Sequence, residues 1–260
     1  VQFSELSQTL ADATKSPAAG AVSSLYDMFV WNDAGTLRCT RGPAWTNGTT
    51  RSAGTALERI DGTWTNDIAI TNGPGANLGT YVGTISTSGS GANGELNMMF
   101  FPAAAAGGSG NRLDVWNMYN RVSMASTCRD STNSWTYTTA TWRSANNNTA
   151  NRITCVCGLN EDAMQVMYKI AANNDNLVLI ANGIGLDVTN AFSGLPGNLL
   201  SPNGTVVPSS LTANYAGLAG LGSHFLQALE FSTATGSTVW YGDNNVPLNV
   251  QMGLQLTWMM

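Results

Sequence analysis

The chain has little charge. Asp, Glu, Lys and Arg make up 10% of its 260 residues, whereas about 25% is usual for globular proteins. Gly, Ser, Thr and Asn replace them, which is typical of extracellular β proteins and virion proteins and unusual in a cytosolic enzyme. Basic residues number 11 and are scattered, and the net charge is −5. Because nucleic-acid binding requires clustered Lys and Arg, the sequence argues against nucleic acid as the main partner.

Long apolar runs are also missing. No segment approaches the roughly 18 consecutive apolar residues that a membrane helix requires. The N-terminal region begins VQFSELSQTLADATKSPAAG and lacks the basic start and apolar core of a signal peptide. The sequence therefore predicts neither membrane insertion nor a secretory leader.

Residues suited to nucleophilic or metal chemistry are few. His224 is the only histidine, and Ser223 beside it would point to the opposite face of a strand, which disfavours a catalytic triad. Cys155 and Cys157 share one face of a predicted strand, so we expect buried apolar thiols rather than a disulfide. One histidine leaves a zinc site short of ligands. We predict no metal site and no cofactor.

Glu161 and Asp162, in GLNEDAM, form the best candidate pair of carboxylates. Glycosidases hold two carboxyl groups on opposite sides of a sugar, which neighbours in sequence rarely achieve. The segment is more typical of a polar turn between strands, and a calcium ion in such an oxygen-rich turn stays open. We therefore predict that the chain is not an enzyme. The alternative, a virion-associated glycan hydrolase, requires that Glu161→Gln or Asp162→Asn abolish cleavage.

From residue 25 onward, apolar-rich segments alternate with turn signals. Residues 32–35 and the Asp61-Gly62 pair each separate two such segments, which predicts two β-hairpins. Residues 112–126, RLDVWNMYNRVSMAS, predict one long strand, and residues 193–210 predict a loop rich in Gly, Pro and Asn.

The C-terminal segment has the clearest pattern. In residues 248–258, LNVQMGLQLTW, large apolar residues alternate strictly with polar residues or glycine, which predicts a strand with one buried face. We expect this strand to lie in a sheet or a subunit interface. About ten to fourteen strands with closely spaced turns predict an all-β fold, an antiparallel β-sandwich or jelly roll.

The chain divides into a short N-terminal arm and a body. Residues 1–24 include SELSQTLADAT, a predicted short amphipathic helix, followed by the breaker KSPAAGAV. We interpret residues 1–24 as an arm or virion anchor and residues 25–260 as the β-sandwich body.

One aromatic stretch suggests a binding site. Residues 133–152 read NSWTYTTATWRSANNNTANR. Trp135 and Tyr137 lie beside polar loops, where aromatic rings can form an exposed platform that stacks on sugars. We take these two residues, together with Asn146 and Asn147, as the candidate ligand-binding residues, while a purely scaffolding role for the strand stays open.

Five segments together resemble bacteriophage virion surface proteins of the tail-fibre and head-fibre type. They are GTYVGTI, VWNMYNRV, DSTNSWTYTTATWR, GIGLD and ALEFSTATGSTVWYGD. The resemblance covers roughly residues 25–258 and transfers no binding residue. It implies a non-enzymatic, β-structured component of the virion, located at the particle surface and assembled as a homotrimer.

Two structural roles stay open within that class. In the first, the arm docks on other virion proteins of the capsid or tail, and the body helps attachment to a host surface glycan or protein. In the second, the chain is a capsid cement or decoration protein that clamps neighbouring shell subunits and needs no receptor.

Overall fold

The computed structural model describes residues 6–89, 92–201 and 208–260. The described residues form strands and two short 3-10 turns, at Ala53–Thr55 and Ala145–Asn147. In chain order the strands are β1 (Leu25–Asp33), β2 (Thr36–Ala44), β3 (Leu57–Ile60), β4 (Thr63–Asn66), β5 (Thr80–Ser86), β6 (Asn111–Leu113), β7 (Val115–Asn117), β8 (Ser123–Cys128), β9 (Ser134–Tyr137), β10 (Trp142–Ser144), β11 (Arg152–Cys157), β12 (Met164–Asn174), β13 (Val178–Leu186), β14 (Gly197–Ser201), β15 (Ser209–Gly217), β16 (Gly222–Phe231), β17 (Thr238–Tyr241) and β18 (Gly253–Met259).

These strands form three sheets of six strands each. The first has the order β2-β1-β5-β4-β3, with β7 added to β5. The second has the order β14-β13-β16-β11-β6, with β10 added to β16, and the third has the order β8-β18-β12-β17-β9, with β15 added to β12. Neighbouring strands are antiparallel, apart from β6, which runs parallel to β11.

The second and third sheets pack face to face and enclose the main core. In β12 the residues from Met164 to Ile170 alternate between buried and exposed, so that Val166 and Tyr168 face the core. Ile184 of β13 and Leu226 of β16 are buried in the same apolar cluster. Asn182 ties the two sheets together, because its Nδ2 donates to the Tyr168 carbonyl at 2.9 Å. The predicted all-β class and antiparallel sandwich of jelly-roll type are confirmed.

The first sheet, which the sequence did not predict as a separate layer, packs against one end of this sandwich. Tyr81 of β5 stacks on Trp116 of β7, with 6.3 Å between the ring centroids. Gly158, just after β11, lies against both rings, and a Cβ at this position would collide with them. A glycine is therefore required where the first sheet meets the second.

The two predicted hairpins are confirmed. β1 pairs with β2 across a two-residue loop in which Ala34 and Gly35 have positive φ angles. β3 pairs with β4 across Asp61 and Gly62, which also have positive φ angles. Loops of this kind match the twist of the strands that they join. Two residues were therefore sufficient to predict each hairpin from the sequence.

The single strand predicted over residues 112–126 is wrong. The segment breaks into β6, β7 and β8, which belong to three different sheets. The first break is at Asp114, whose buried carboxylate accepts the Asn97 N–H at 2.9 Å. The second is at Asn117, whose Oδ1 accepts the N–H groups of Tyr119 and Asn120 at 3.0 and 2.9 Å. Asn117 thus binds adjacent backbone, which competes with strand pairing, whereas Asp114 binds backbone 17 residues away.

The C-terminal strand is confirmed but is shorter than predicted. β18 begins at Gly253, and Leu248 lies in the preceding turn with 98% of its surface exposed. Main-chain bonds within this turn, such as Asn249 N to Val246 O at 2.8 Å, prevent sheet pairing there. The loop predicted over residues 193–210 is also partly wrong, because it contains β14.

The helix predicted in SELSQTLADAT is absent from residues 6–14, and residues 4 and 5 lie outside the described residues. The Asp12 side chain accepts the Thr14 N–H at 2.7 Å. Arg41 of β2 donates to the carbonyls of Thr9, Asp12 and Ala18 at 3.4, 3.2 and 2.5 Å. Apart from a turn bond from Asp12 N to Thr9 O, these carbonyls accept hydrogen bonds from the body and not from the N–H groups of a helix. Residues 9–18 thus lie against β2, and Ser23 and Ser24 bond to the chain just after β5.

Candidate functional site

The two candidate catalytic carboxylates share one cation. Arg121 Nη2 lies 3.0 Å from Glu161 Oε2, and Arg121 Nη1 pairs with Asp162 Oδ2. The guanidinium also lies 4.4 Å above the Trp116 ring. Both carboxyl groups therefore pair with the same guanidinium. They do not face each other across a cleft that could hold a sugar. The segment forms the polar turn between β11 and β12 that the sequence predicted.

The predicted aromatic platform surrounds a buried carboxylate. Trp135 of β9 is half-buried, and its indole N–H donates to Glu230 Oε2 at 2.7 Å. Tyr137 is only 8% exposed, and the Arg143 guanidinium lies 3.7 Å from the centroid of its ring. The prediction of an exposed stacking face is therefore wrong for Tyr137, since Arg143 covers it.

Glu230 joins the two sheets of the sandwich. It lies on β16 directly opposite Arg143 of β10, and Arg143 Nη2 is 2.7 Å from its Oε1. Trp135 reaches the same carboxylate from the third sheet. Burial raises the pKa of Glu230 to about 7, although Arg143 and Trp135 oppose the shift. The Arg143–Glu230 pair thus lies within the second sheet, and the Trp135 hydrogen bond links it to the third.

Asn146 belongs to a second buried polar cluster. Its Nδ2 donates to Asp130 Oδ2 at 3.1 Å and to Thr132 Oγ1 at 3.0 Å. Asn151 and the Gly107 N–H also donate to the Asp130 carboxylate, both at 2.9 Å. Burial alone would raise the pKa of Asp130, but these hydrogen bonds outweigh it and lower the pKa. Asn146 thus holds the loop between β10 and β11 against Asp130 and Thr132.

Asn147 is the one member of the predicted set that is exposed. Both Asn146 and Asn147 have positive φ angles, of 54° and 49°, which asparagine tolerates better than most residues. The structure therefore brings Trp135, Tyr137 and Asn146 together around buried carboxylates and leaves Asn147 at the surface. Asparagine at these two positions therefore suits the left-handed backbone of the loop as well as its polar surroundings.

The contacts of His224 and the burial of Cys155 and Cys157 indicate structural roles. His224 Nδ1 is 2.7 Å from Asp187 Oδ2, and its Nε2 is 3.1 Å from the Leu221 carbonyl. Cys155 and Cys157 are free, buried thiols, as predicted. Burial raises the pKa of both thiols, which keeps them protonated and unreactive. Among residues 6–89, 92–201 and 208–260, no group of three or more His, Cys, Asp or Glu side chains could hold a metal ion.

A different surface has the features of a binding site. It is the outer face of the third sheet, where β15, β12 and β18 lie side by side. Strand register places Asn214, Met167 and Gln255 in one row. The next row contains Ala216, Gln165 and Thr257.

The loop before β14 forms a wall along this face. Leu195 and Asn214 exchange backbone hydrogen bonds of 2.7 and 2.9 Å, so a single β-bridge joins the loop to β15. Leu195 is 75% exposed and Met167 is 41% exposed. Together with Ser193, Gly194 and Tyr215 they line a shallow groove of about 730 Å³. We call the groove and the two side-chain rows the outer face.

The outer face has no charged side chain among its lining residues. It combines the amides of Gln165, Asn214 and Gln255 with the apolar side chains of Met167 and Leu195. The sequence did not identify these residues as a site, because none of the five has an aromatic ring or a carboxylate. The available signal was the strict alternation in AMQVMYKI and QMGLQLTW, which assigns the glutamines to the solvent side.

Comparison with known proteins gives little further information. No protein family and no curated protein matches the chain. Among solved structures, one similar chain belongs to a structure of the infectious bursal disease virus Gx strain, with a TM-score of 0.25 and 9% sequence identity. The match covers 90% of this chain and 55% of that chain. Among the described residues, no helix has the length and apolar character needed to cross a membrane.

Proposed function

We propose that the chain is a non-enzymatic structural protein of a bacteriophage virion, a surface fibre or spike subunit that helps the particle attach to its host. The outer face is the observation on which this proposal rests most heavily. It presents unpaired amides beside exposed apolar side chains on a rigid sheet, which suits binding rather than catalysis. The likeness of five sequence segments to virion surface proteins supports the same role.

The contacts of the ionisable residues favour a structural protein over an enzyme. Glu161 and Asp162 are paired with Arg121, and Glu230 is paired with Arg143. A glycan hydrolase needs one carboxyl group free to donate a proton and another on the opposite side of the sugar. The arrangement around Arg121 supplies neither.

Attachment to the particle is assigned to the N-terminal arm. The arm contacts β2 and the chain just after β5, so an arm contact with a capsid or tail protein would place the first sheet near the particle. The outer face belongs to the third sheet, and β2 and β5 belong to the first. This separation suits a protein that is anchored at one place and binds a host glycan or protein at another.

Assembly as a homotrimer is part of the proposal. Val122 and Met260 exchange backbone hydrogen bonds of 3.0 and 3.1 Å beside the edge strand β8, and the Val122 side chain is 51% exposed there. Exposed apolar residues at a sheet edge are suited to a contact between subunits. Light scattering on the purified chain should give three times the chain mass, before and after removal of residues 1–24. A monomer in both forms would contradict the trimer.

The location of the chain on the particle can be tested with intact virions. Antibodies raised against the purified chain, coupled to gold, should label intact virions of the phage that encodes it, at projecting structures. Label spread over the shell in a regular lattice would instead indicate a decoration protein. The absence of label from intact and disrupted particles would contradict any virion role.

A further inference from the structure

We propose that the outer face is a binding site for a neutral glycan, with the oligosaccharide lying across β15, β12 and β18. The inference rests on the proposed attachment function and specifies its ligand class and site. It replaces the aromatic stretch of β9 as the candidate glycan site, because Tyr137 is covered by Arg143.

The polar groups of the outer face are available to a ligand. The side-chain amides of Gln165, Asn214 and Gln255 form no hydrogen bond with other described residues, whereas Asn111, Asn151 and Asn182 in the interior each donate to neighbouring groups. An amide offers two donors and one acceptor oxygen, so it can bind a hydroxyl group as either partner. Adjacent sugar hydroxyls are ligands of this kind.

The apolar groups of the outer face complement those amides. Leu195 and Met167 flank Asn214, because Met167 is its direct partner in β12 and Leu195 is its partner in the β-bridge from the loop. Side chains directly opposite each other on one face of a sheet are about 5 Å apart. A sugar ring has a C–H face as well as hydroxyl groups, and the alternation of apolar and amide side chains matches both.

The electrostatics of the outer face select for a neutral ligand. The lining contains no Lys, Arg, Asp or Glu, so the groove itself offers no counter-charge to an acidic glycan. Lys169, on the same face of β12 two residues beyond Met167, is exposed and borders the two rows without lining the groove. The length of the site fits an oligosaccharide better than a single sugar, since the rows extend over three strands about 4.8 Å apart.

The test uses the full chain and a set of neutral oligosaccharides of glucose, galactose, mannose and N-acetylglucosamine, with sialylated and uronic-acid oligosaccharides as the acidic comparison. Binding is measured by saturation-transfer NMR and by calorimetry. The variants Asn214→Ala and Gln255→Ala each remove one amide from the outer face. The matched control is Asn198→Ala, which removes an exposed strand amide from β14.

We expect the wild-type chain and Asn198→Ala to bind a neutral oligosaccharide equally. Each outer-face variant should bind roughly five- to tenfold more weakly, the effect of one lost neutral hydrogen bond. Binding that is unchanged in both variants, or binding of acidic oligosaccharides alone, would overturn the proposal. A change of native mass in the variants would also overturn it, because the outer face would then be a contact between subunits.

Failure of the glycan assignment can be separated from failure of the attachment function. If no oligosaccharide binds but the purified chain still binds host cells, the glycan proposal is overturned and the attachment role stands. Protease treatment of the cells would then identify a protein receptor. If the chain binds neither oligosaccharides nor cells, both proposals are overturned.

Discussion

Asp27, Asp130 and Glu230 are buried carboxylates, and each has its own set of donors. Glu230 is held by Arg143 and Trp135, and Asp130 is held by amides and backbone N–H groups without a cation among these donors. In this charge-poor chain, the hydrogen bonds to Glu230 and Asp130 connect segments that are far apart in sequence. We propose that these carboxylates specify one arrangement of the segments around them more than they add stability.

Asp27 and Arg51 form another pair with a buried carboxylate. Arg51 Nε is 2.8 Å from Asp27 Oδ2, and its guanidinium lies 4.5 Å from the Trp45 ring centroid. Arg51 also donates to the Gly158 carbonyl at 2.8 Å, which connects the first sheet to the sandwich. Burial raises the pKa of Asp27, and Arg51 opposes that shift.

We expect Arg51→Met to lower the free energy of unfolding by about 3–5 kcal/mol, because it leaves the Asp27 charge buried without its partner. Urea denaturation followed by tryptophan fluorescence measures the change. Arg38→Met is the control, since its pair with Asp33 is exposed and should contribute only about 0–1 kcal/mol. Adding Asp27→Asn to Arg51→Met should recover part of the loss. Equal effects of the two arginine variants would contradict this account.

The stability of the fold should depend on the titration of Glu230. The pKa of this carboxyl is about 7 in the folded chain, above its ordinary value of 4.5. Between these two pH values the folded state holds a proton that the unfolded chain has released. The contribution is therefore complete below the unfolded pKa and is lost as the pH rises through the folded pKa.

Glu230→Gln removes this titration while keeping the side-chain size. From about pH 4.5 to pH 7, the free energy of unfolding of the wild-type chain should fall relative to that of the variant. Urea denaturation of both proteins across this range provides the comparison, which cancels the other titrating groups. A constant difference between the two curves would show that Glu230 does not titrate in this range.

At the scale of strands and turns, local signals predicted some elements and not others. The hairpins at Ala34-Gly35 and Asp61-Gly62 were predictable because their turn geometry depends on two residues. The break of residues 112–126 was not, because Asp114 stops a strand by binding Asn97, 17 residues away in sequence. Alternation in β12 and β18 indicated which side chains are exposed, but not that these strands are neighbours.

The arm shows how a tertiary contact overrides a local preference. Arg41 donates to carbonyl groups of the arm. Asn72 Nδ2 donates to the Ala13 and Ser16 carbonyls at 3.0 and 3.4 Å. The amphipathic pattern in SELSQTLADAT was real, but the body provides better partners for these carbonyls than a short isolated helix does. The position of the arm therefore depends on residues far away in sequence.

Asn72→Gly should loosen the arm, because it removes these two bonds and still permits the positive φ angle at this position. Trypsin cleavage after Lys15 should become about tenfold faster, since two neutral hydrogen bonds contribute roughly 1 kcal/mol or more to closure. Mass spectrometry of the digest measures the rate. Asn77→Gly is the control, because Asn77 also has a positive φ angle and has no hydrogen bond to the arm. Equal cleavage in both variants would contradict the assigned contacts.

At the scale of the whole molecule, the described residues form one sandwich with an added sheet and an ordered arm. The fold class followed from composition and strand alternation, which report on the entire chain. The candidate site could not be predicted in the same way. The outer face is assembled from β12, β15, β18 and the loop before β14, and only the pairing register brings these segments together. The aromatic residues that appeared most suited to a ligand are used to position buried charges.

The proposed role of this chain is to attach a virion to its host, and adsorption competition tests that role most directly. Host cells are incubated with increasing amounts of the purified chain, and the adsorption rate of the phage that encodes it is then measured. The account predicts that adsorption falls with dose and that the Asn214→Ala and Gln255→Ala variants compete less well than Asn198→Ala. Adsorption that is unaffected by saturating protein, on cells that the phage infects, would contradict the attachment role.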